Sequence, residues 1–364
     1  MQHIFSPAIL AATLVCIAAI AVQPAHGLQI GPLLSTCVYA CQRGCEEIRA
    51  VQASRSDATL KVEFKDAQDP RSALTEADSA AQRAIVGALK AEWGKELHIV
   101  GEEDEKDVAA TLANMKFESL KRDLFDNDIG ETAEIDPSEI TVFVDPLDGT
   151  REFVEGRLDN CQVLVGIAIG GVAVAGAIGI PFPAGDLSTD STIIYGLEGL
   201  GTGVLGAPLT RGPYPLEKNI DGIKYPRPHH ATGDSKDEVM QACVKGAIKR
   251  FGGSNVIYGG AGNKILAAAL GEVTCSIQHK VGGPWDLCAP EAILKAMGGR
   301  MTDLFGEDIA IYRKDAPPRC NERGYLASPP TSKEIFHDAL AAAMVALPEV
   351  QKYREDVVGS KVPS

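Results

Sequence analysis

The chain has 364 residues, of which 45% are hydrophobic, and a formal net charge of −14. That length allows about two domains of roughly 150 residues each, with a sizeable core. The acidic balance excludes a nucleic-acid polymer as partner, because such binding rests on a basic footprint, and it fits a site that gathers divalent cations.

Residues 8–22 form an uncharged apolar run, and no Asp, Glu, Lys or Arg occurs before Arg43. The run is short for a membrane span, which needs about 20 residues. Ala25-His26-Gly27 offers small residues for cleavage, so residues 1–27 read as a signal peptide or signal anchor leading to the secretory pathway or an organelle. A cytoplasmic chain is the alternative, since no Lys or Arg precedes the run. A membrane partner is expected only if residues 8–22 stay as an uncleaved anchor.

From Leu33 to Gln52, apolar residues recur every three or four positions, which predicts a helix. Three of the nine cysteines, Cys37, Cys41 and Cys45, fall on one face of it. Free cysteine is a small, commonly buried hydrophobe, and that is the expectation for this face. Thr59 to Phe64 alternates as a strand. Thr75 and Asp78 then form a capping box for a helix through Ala91. His98-Ile99-Val100 is a short strand that delivers Gly101-Glu102-Glu103-Asp104 at its end. Residues 105–139 are polar and acidic and read as a surface insertion with one short helix near Thr111 to Leu120. Asp126 to Gly130 fails as an EF-hand loop: its Gly comes one place early and Pro137 stands where the bidentate Glu belongs.

Val142-Phe143-Val144 runs straight into Asp145-Pro146-Leu147-Asp148-Gly149-Thr150. A buried strand thus ends at two carboxylates. Mg²⁺ takes hard oxygen ligands, often one or two carboxylates plus phosphate oxygens. Asp145, the Leu147 carbonyl and Asp148 supply such ligands within one turn. The amides of Gly149 and Thr150, at a helix start, suit an anion. An acidic solvated turn is the plainer alternative.

A short helix is expected over Arg151 to Glu155. Gln162 to Ile169 and Val172 to Ile180 are strands joined by a hairpin at Gly170-Gly171. Pro181 to Asp190, rich in Pro, Gly and Asp, is the expected boundary between domains 28–182 and 183–364. Thr192 to Tyr195 is a strand. Gly201-Thr202-Gly203-Val204-Leu205-Gly206 matches a dinucleotide-binding fingerprint, but Ala207-Pro208 breaks the helix that such a site requires. Asp237 to Phe251 is a helix. Gly259 to Lys264 is a glycine-rich turn before a helix over Ile265 to Leu270, suited to an anion. Val273 to Gln278 is a strand. Trp285-Asp286 precedes a helix through Met297, with Pro290 near its first turn, so Asp286 has the alternative role of a helix cap. Gly298 to Asp303 turns into a further strand, and Ser332 to Ala346 is the last expected helix.

Five pieces in this order resemble the Mg²⁺-dependent, lithium-sensitive phosphatases of the inositol monophosphatase superfamily: Thr-x-Ala-Asp at Asp78, Gly-Glu-Glu at Glu102, Asp-Pro-Leu-Asp-Gly-Thr at Asp145, the Gly262-Asn263-Lys264 turn, and Trp285-Asp286. The resemblance spans about residues 33–345 and is greatest to the 3'(2'),5'-bisphosphate nucleotidase branch. It implies a layered α/β/α/β/α sandwich and hydrolysis of the 3'-phosphate of adenosine 3',5'-bisphosphate. It implies two or three Mg²⁺ held by Glu102, Asp145, the Leu147 carbonyl, Asp148 and Asp286. Asp78 and Thr150 would activate water. Gly149, Thr150, Gly262, Asn263 and Lys264 would contact the substrate. Two departures touch nucleotide specificity: Ser72 where the branch often has Asp, and Thr232-Gly233-Asp234-Ser235 where it has a His-containing segment. An inositol polyphosphate 1-phosphatase or an inositol monophosphatase, and an inactive cation-binding protein, are the competing readings.

Overall fold

The computed structural model describes residues 27–55, 62–64, 73–103, 117–126, 134–212, 218–220, 223–225, 229–280, 282–316, 321–330 and 333–359. The apolar run at 8–22, Ser72, the acidic loop after Asp126 and most of the 105–139 insertion lie outside them. Among the described residues, no helix is long and apolar enough to cross a membrane.

Helix α1 (Ile30–Ser54) carries a continuous buried face on which Cys37, Cys41 and Cys45 are fully enclosed. Burial pushes the Cys37 and Cys41 thiols up, so they are small apolar packing groups there. Strands β1 (Val62–Phe64) and β2 (Ala73–Thr75) form a small antiparallel pair. Helix α2 (Glu76–Trp93) starts at Thr75 with the expected capping box. Strands β3 (His98–Gly101) and β4 (Ile140–Asp148) are parallel, and the short helix α3 (Thr150–Val154) follows. Strands β5 (Gln162–Ile169), β6 (Val172–Ile180), β7 (Thr192–Leu197) and β8 (Gly201–Gly206) complete one sheet in the order β3-β4-β5-β6-β7-β8. The glycine-rich fingerprint at 201–206 is thus a strand. The expected boundary at 182/183 falls inside this sheet, because β7 pairs along β6 from Ala175 to Ile180.

The second sheet begins after a two-strand pair, β9 (Lys218–Ile220) and β10 (Ile223–Tyr225). Its strands are β11 (His229–Thr232), β12 (Ser254–Ile257), β13 (Cys275–Gln278), β14 (Arg300–Thr302) and β15 (Tyr325–Ser328), in the order β12-β11-β13-β15-β14. Its helices are α4 (Glu238–Phe251), α5 (Ala261–Ala269), α6 (Cys288–Ala296), α7 (Lys333–Val345) and α8 (Pro348–Gly359).

Alternation along β4 fixes the layers. Val142 and Val144 pack into one core with α1 and α2, while Phe143 packs into a second core with α5 and α6. Both faces are therefore covered, which is why this stretch is a continuous apolar run rather than an alternating one. On the second sheet, Ala231, Tyr325 and Ala327 join α5 and α6, whereas Cys275, Ile277 and Leu326 join α4, α7 and α8. The result is the expected α/β/α/β/α sandwich, with α5 and α6 as its central layer. Helix α6 comes unusually near the first sheet, since a Cβ on Gly166 would lie 2.5 Å from Ala289 N and one on Gly176 would lie 2.9 Å from Ala289 Cα. The outer layer has a closed polar knot: Ser328 Oγ meets His337 Nδ1 at 2.7 Å and Thr302 Oγ1 meets Nε2 at 2.8 Å.

Candidate active site

The carboxylates that the chain delivers at strand and helix ends converge at one cleft. Glu102 directly follows β3, and its amide donates to Val144 O at 3.0 Å. Asp145 and Asp148 lie at the end of β4, which does not stop at the first carboxylate as the sequence predicts. The strand continues irregularly, with its pairing to β5 shifting between Asp145 and Asp148. Pro146 donates no hydrogen bond to the ladder, and that shift turns both carboxylates inward. Asp286 comes from the 3-10 turn Pro284–Asp286 before α6. One oxygen each from Asp145, Asp148 and Asp286 lies within 4.8 Å of the others.

The three differ in how their charge is met. Asp148 sits on the start of α5: the Ala261 amide donates to Oδ1 and the Gly262 amide to Oδ2, each at 2.8 Å. The Asn263 amide and the Lys264 ammonium also favour its ionised form, against a burial that raises its pKa. Helix-start amides and the dipole suit an anion, and here an internal carboxylate takes that seat. Asp286 accepts from the Gly283 amide at 2.6 Å, yet burial and then Glu102 and Asp148 push it up to about 8. Asp145 accepts from the Leu147 amide at 3.0 Å. Burial, then the charges of Glu102, Asp148 and Asp286, raise it well above the carboxylate range.

Beside this cluster runs a relay that the capping box alone does not explain. Asp78 Oδ2 accepts from the Thr75 amide at 2.7 Å and from the Thr75 hydroxyl at 2.6 Å. Its other oxygen accepts from the Thr150 hydroxyl at 2.8 Å. The Thr150 hydroxyl also lies 3.1 Å from Leu147 O. Burial holds Asp78 up at about 6 despite those hydrogen bonds. Gly149 caps α3 with φ 90°, a left-handed conformation that only glycine adopts readily. A Cβ there would also lie 3.1 Å from Asn160 O.

Gly262, Asn263 and Lys264, the expected substrate contacts, are engaged with neighbouring residues in this structure. Helix α5 starts at Ala261, four residues before the predicted Ile265, so the Gly262 amide is spent on Asp148. Asn263 is buried, with Nδ2 donating to Asn160 Oδ1 at 2.8 Å and Oδ1 accepting from Arg211 Nη1 at 2.5 Å. Lys264 Nζ donates to Gly260 O at 2.6 Å. All three hold the floor of the site. Sequence reasoning missed Arg211, which also pairs with Glu272 at 2.7 Å, because nothing local marks it. The capping box foretold the Thr75 amide as a donor to Asp78, but not the second donation, from the Thr75 hydroxyl.

The donor set is all-oxygen, buried at Asp145 and Asp148, half-buried at Glu102 and Asp286, and strongly self-repelling, which suits a hard divalent cation. The layered fold and this acidic cleft define a class of phosphatases acting on small phosphate esters. Residues 33–349 match the inositol monophosphatase family, and the chain belongs to it. It is 34% identical over 314 residues to a 3'(2'),5'-bisphosphate nucleotidase 1 of Dictyostelium discoideum, covering 82% of this chain and 93% of that protein. It is 29% identical over 332 residues to a Golgi-resident adenosine 3',5'-bisphosphate 3'-phosphatase of Rattus norvegicus, covering 88% and 82%. Among solved structures, the extragenic suppressor protein suhB of Bartonella henselae superposes with a TM-score of 0.60 at 17% identity, covering 86% and 98%.

Proposed function

We propose that this protein is a Mg²⁺-dependent 3'(2'),5'-bisphosphate nucleotidase that converts adenosine 3',5'-bisphosphate to AMP and phosphate. The observation that carries this reading is the Thr75–Asp78–Thr150 relay, hydrogen-bonded up to the edge of the carboxylate cluster. A site that merely binds cations has no use for a buried carboxylate poised on a threonine hydroxyl. The similarity to bisphosphate nucleotidases along most of both chains supports the substrate class.

Glu102, Asp145, the Leu147 carbonyl, Asp148 and Asp286 would hold Mg²⁺, whose charge lowers the pKa of water and stabilises a leaving oxygen. The protein's own residues do the rest. Thr150 Oγ1 takes a proton from the attacking water as its own proton moves towards Asp78 Oδ1. Thr75 keeps Asp78 oriented and ionised. The Gly149 and Thr150 amides hold phosphate oxygens. Lys264 and the α5 amides favour the ionised form of Asp148 against the burial that raises its pKa. Entry to the secretory pathway through residues 1–27 belongs to the same reading.

The test is phosphate release by residues 28–364 from adenosine 3',5'-bisphosphate, inositol 1,4-bisphosphate and inositol 1-phosphate, with Mg²⁺ and with or without Li⁺. Preference for the nucleotide, lost with Li⁺, is expected. Preference for an inositol phosphate would move the substrate while keeping the mechanism. No release from any of them would end the enzyme reading.

A further inference from the structure

Asp78 and Gln82 stand one turn apart on α2, about 6 Å along its axis, and both are buried. Asp78 reaches the Thr150 hydroxyl. Gln82 reaches a different loop: its Nε2 donates to Glu103 O at 3.1 Å. Its Oε1 is buried and meets no partner among the described residues, so that donation is the one hydrogen bond this side chain makes among them. Successive turns of one helix thus grip the loop that carries Thr150 and the loop that carries Glu102.

Glu102 stands where regular pairing has ended. The ladder between β3 and β4 stops at Gly101, and bends follow at Glu102 and Glu103. The Glu102 amide ties the segment to β4 through Val144 O at 3.0 Å. Gln82 ties its other end to α2. Between these two bonds lies the Glu102 side chain, which meets Asp145 and whose charge also acts on Asp78 and Asp286.

Gly101 is shaped to the same contact. A Cβ there would lie 2.0 Å from Gln82 Nε2 and 2.9 Å from Oε1, so the amide rests directly on the Gly101 backbone. Gly101 is not among the glycines with positive φ. What excludes a side chain at this position is therefore Gln82, not backbone strain. An apolar residue in place of Gln82 would fill the volume without holding the Glu103 carbonyl.

Resting on the Mg²⁺ site proposed above, we propose that Gln82 is a positioning residue for Glu102. Seated on Gly101, its amide sets where the first carboxylate of the cleft stands relative to the Asp78–Thr150 relay. Its effect falls on cation affinity and reaches turnover through it. A residue that serves packing alone would lower stability and leave cation affinity as it was.

The experiment titrates Mg²⁺ alone into the metal-free full chain by calorimetry, and records the melting temperature of each protein. The proteins are the wild type, Gln82→Met, Gly101→Ala, Glu102→Gln and the double variant of Gln82→Met with Glu102→Gln. Gln82→Met keeps the bulk and loses the donor, and its Kd for Mg²⁺ is expected to rise about tenfold or more. Half-maximal phosphate release from adenosine 3',5'-bisphosphate should then need correspondingly more Mg²⁺, while kcat at saturating Mg²⁺ falls far less. Gly101→Ala pushes the same amide aside from the opposite side. It is expected to raise the Kd likewise, and it carries the test if Gln82→Met folds poorly. In the Glu102→Gln background, Gln82→Met is expected to add nothing, because its effect runs through that carboxylate. An unchanged Kd in a folded Gln82→Met, or a loss that persists in full without the Glu102 carboxylate, overturns the proposal while leaving the wild-type cation site intact. If the wild type takes up no Mg²⁺, the cation site and this proposal fall together.

Discussion

Two buried polar clusters in this protein are built on opposite plans. In the outer layer, His337 sits between the hydroxyls of Thr302 and Ser328, and each ring nitrogen has its own partner. In the cleft, Asp145, Asp148 and Asp286 crowd together, with Glu102 acting on Asp145 and Asp286. The first cluster is complete and neutral, with burial holding His337 down at about 4. The second gathers more carboxylates than Lys264 alone can offset, so that without a cation the carboxyls hold protons well above their usual range. Buried polarity that closes on itself serves the fold, and buried charge left open marks the place where chemistry happens.

The sharpest way to break that contrast is Asp145→Asn. Phosphate release should fall by about 1,000-fold. The metal-free variant should nonetheless melt above the metal-free wild type, because a repelling carboxylate has gone. A fall in both would mean that Asp145 serves the fold. Thr150→Val should reduce kcat by about 100-fold or more, read by steady-state kinetics, and cost about 1–3 kcal/mol of stability, since the buried Asp78 loses a donor.

The pH responses of the two clusters have opposite signs. Asp78 is raised to about 6 from 3.8, so the metal-free native state binds the extra proton between those values. Its contribution to stability is present below pH 3.8 and is lost as pH rises through about 6. For activity the requirement is reversed: Asp78 must be ionised, so kcat should decline on the acid side of about 6, further down once bound cations favour the carboxylate, and Asp78→Asn should abolish that limb together with most of the activity. His337 is lowered to about 4 from 6.5, so its contribution is present above pH 6.5 and is lost as pH falls through about 4. Urea melts of wild type and His337→Leu at pH 7 and pH 5 separate the two signs.

A smaller effect is expected from adding Mg²⁺ at a hundred times its Kd, which should stabilise the wild type by about 2.7 kcal/mol. Asp145→Asn should lose most of that gain. His337→Leu should keep the full Mg²⁺ increment and near-normal turnover while losing about 1–3 kcal/mol of stability, since two buried hydroxyls lose their partner.

The first sheet was largely legible. Gln162–Ile169 and Val172–Ile180 match their predicted bounds, because long apolar runs with a glycine turn between them leave one reading. The second sheet was mostly not legible. Its strands are three or four residues long, and His229–Thr232 has no alternating pattern to detect. Helix α8 was missed because Pro348 reads as a stop, whereas here it opens the helix. In the site, the positions of the carboxylates could be read, since strand ends carry them. The seat of Asp148 on α5 could not, because it joins residues 113 apart in sequence. The extra turn at the start of α5, where the Gly262 amide meets Asp148, goes with that same long-range contact.

Gly166 and Gly176 leave room for helix α6 against the first sheet, and Asp286 stands two residues before that helix. The height of a helix above a sheet is therefore also the width of a cation's berth. Two absent methyl groups, neither of them near the reacting atoms, act as a shim. Thicken it, as Gly166→Ala or Gly176→Ala would, and Asp286 is expected to move away from Asp145. Two residues outside the cleft are thus expected to govern how closely Asp286 can approach the other carboxylates.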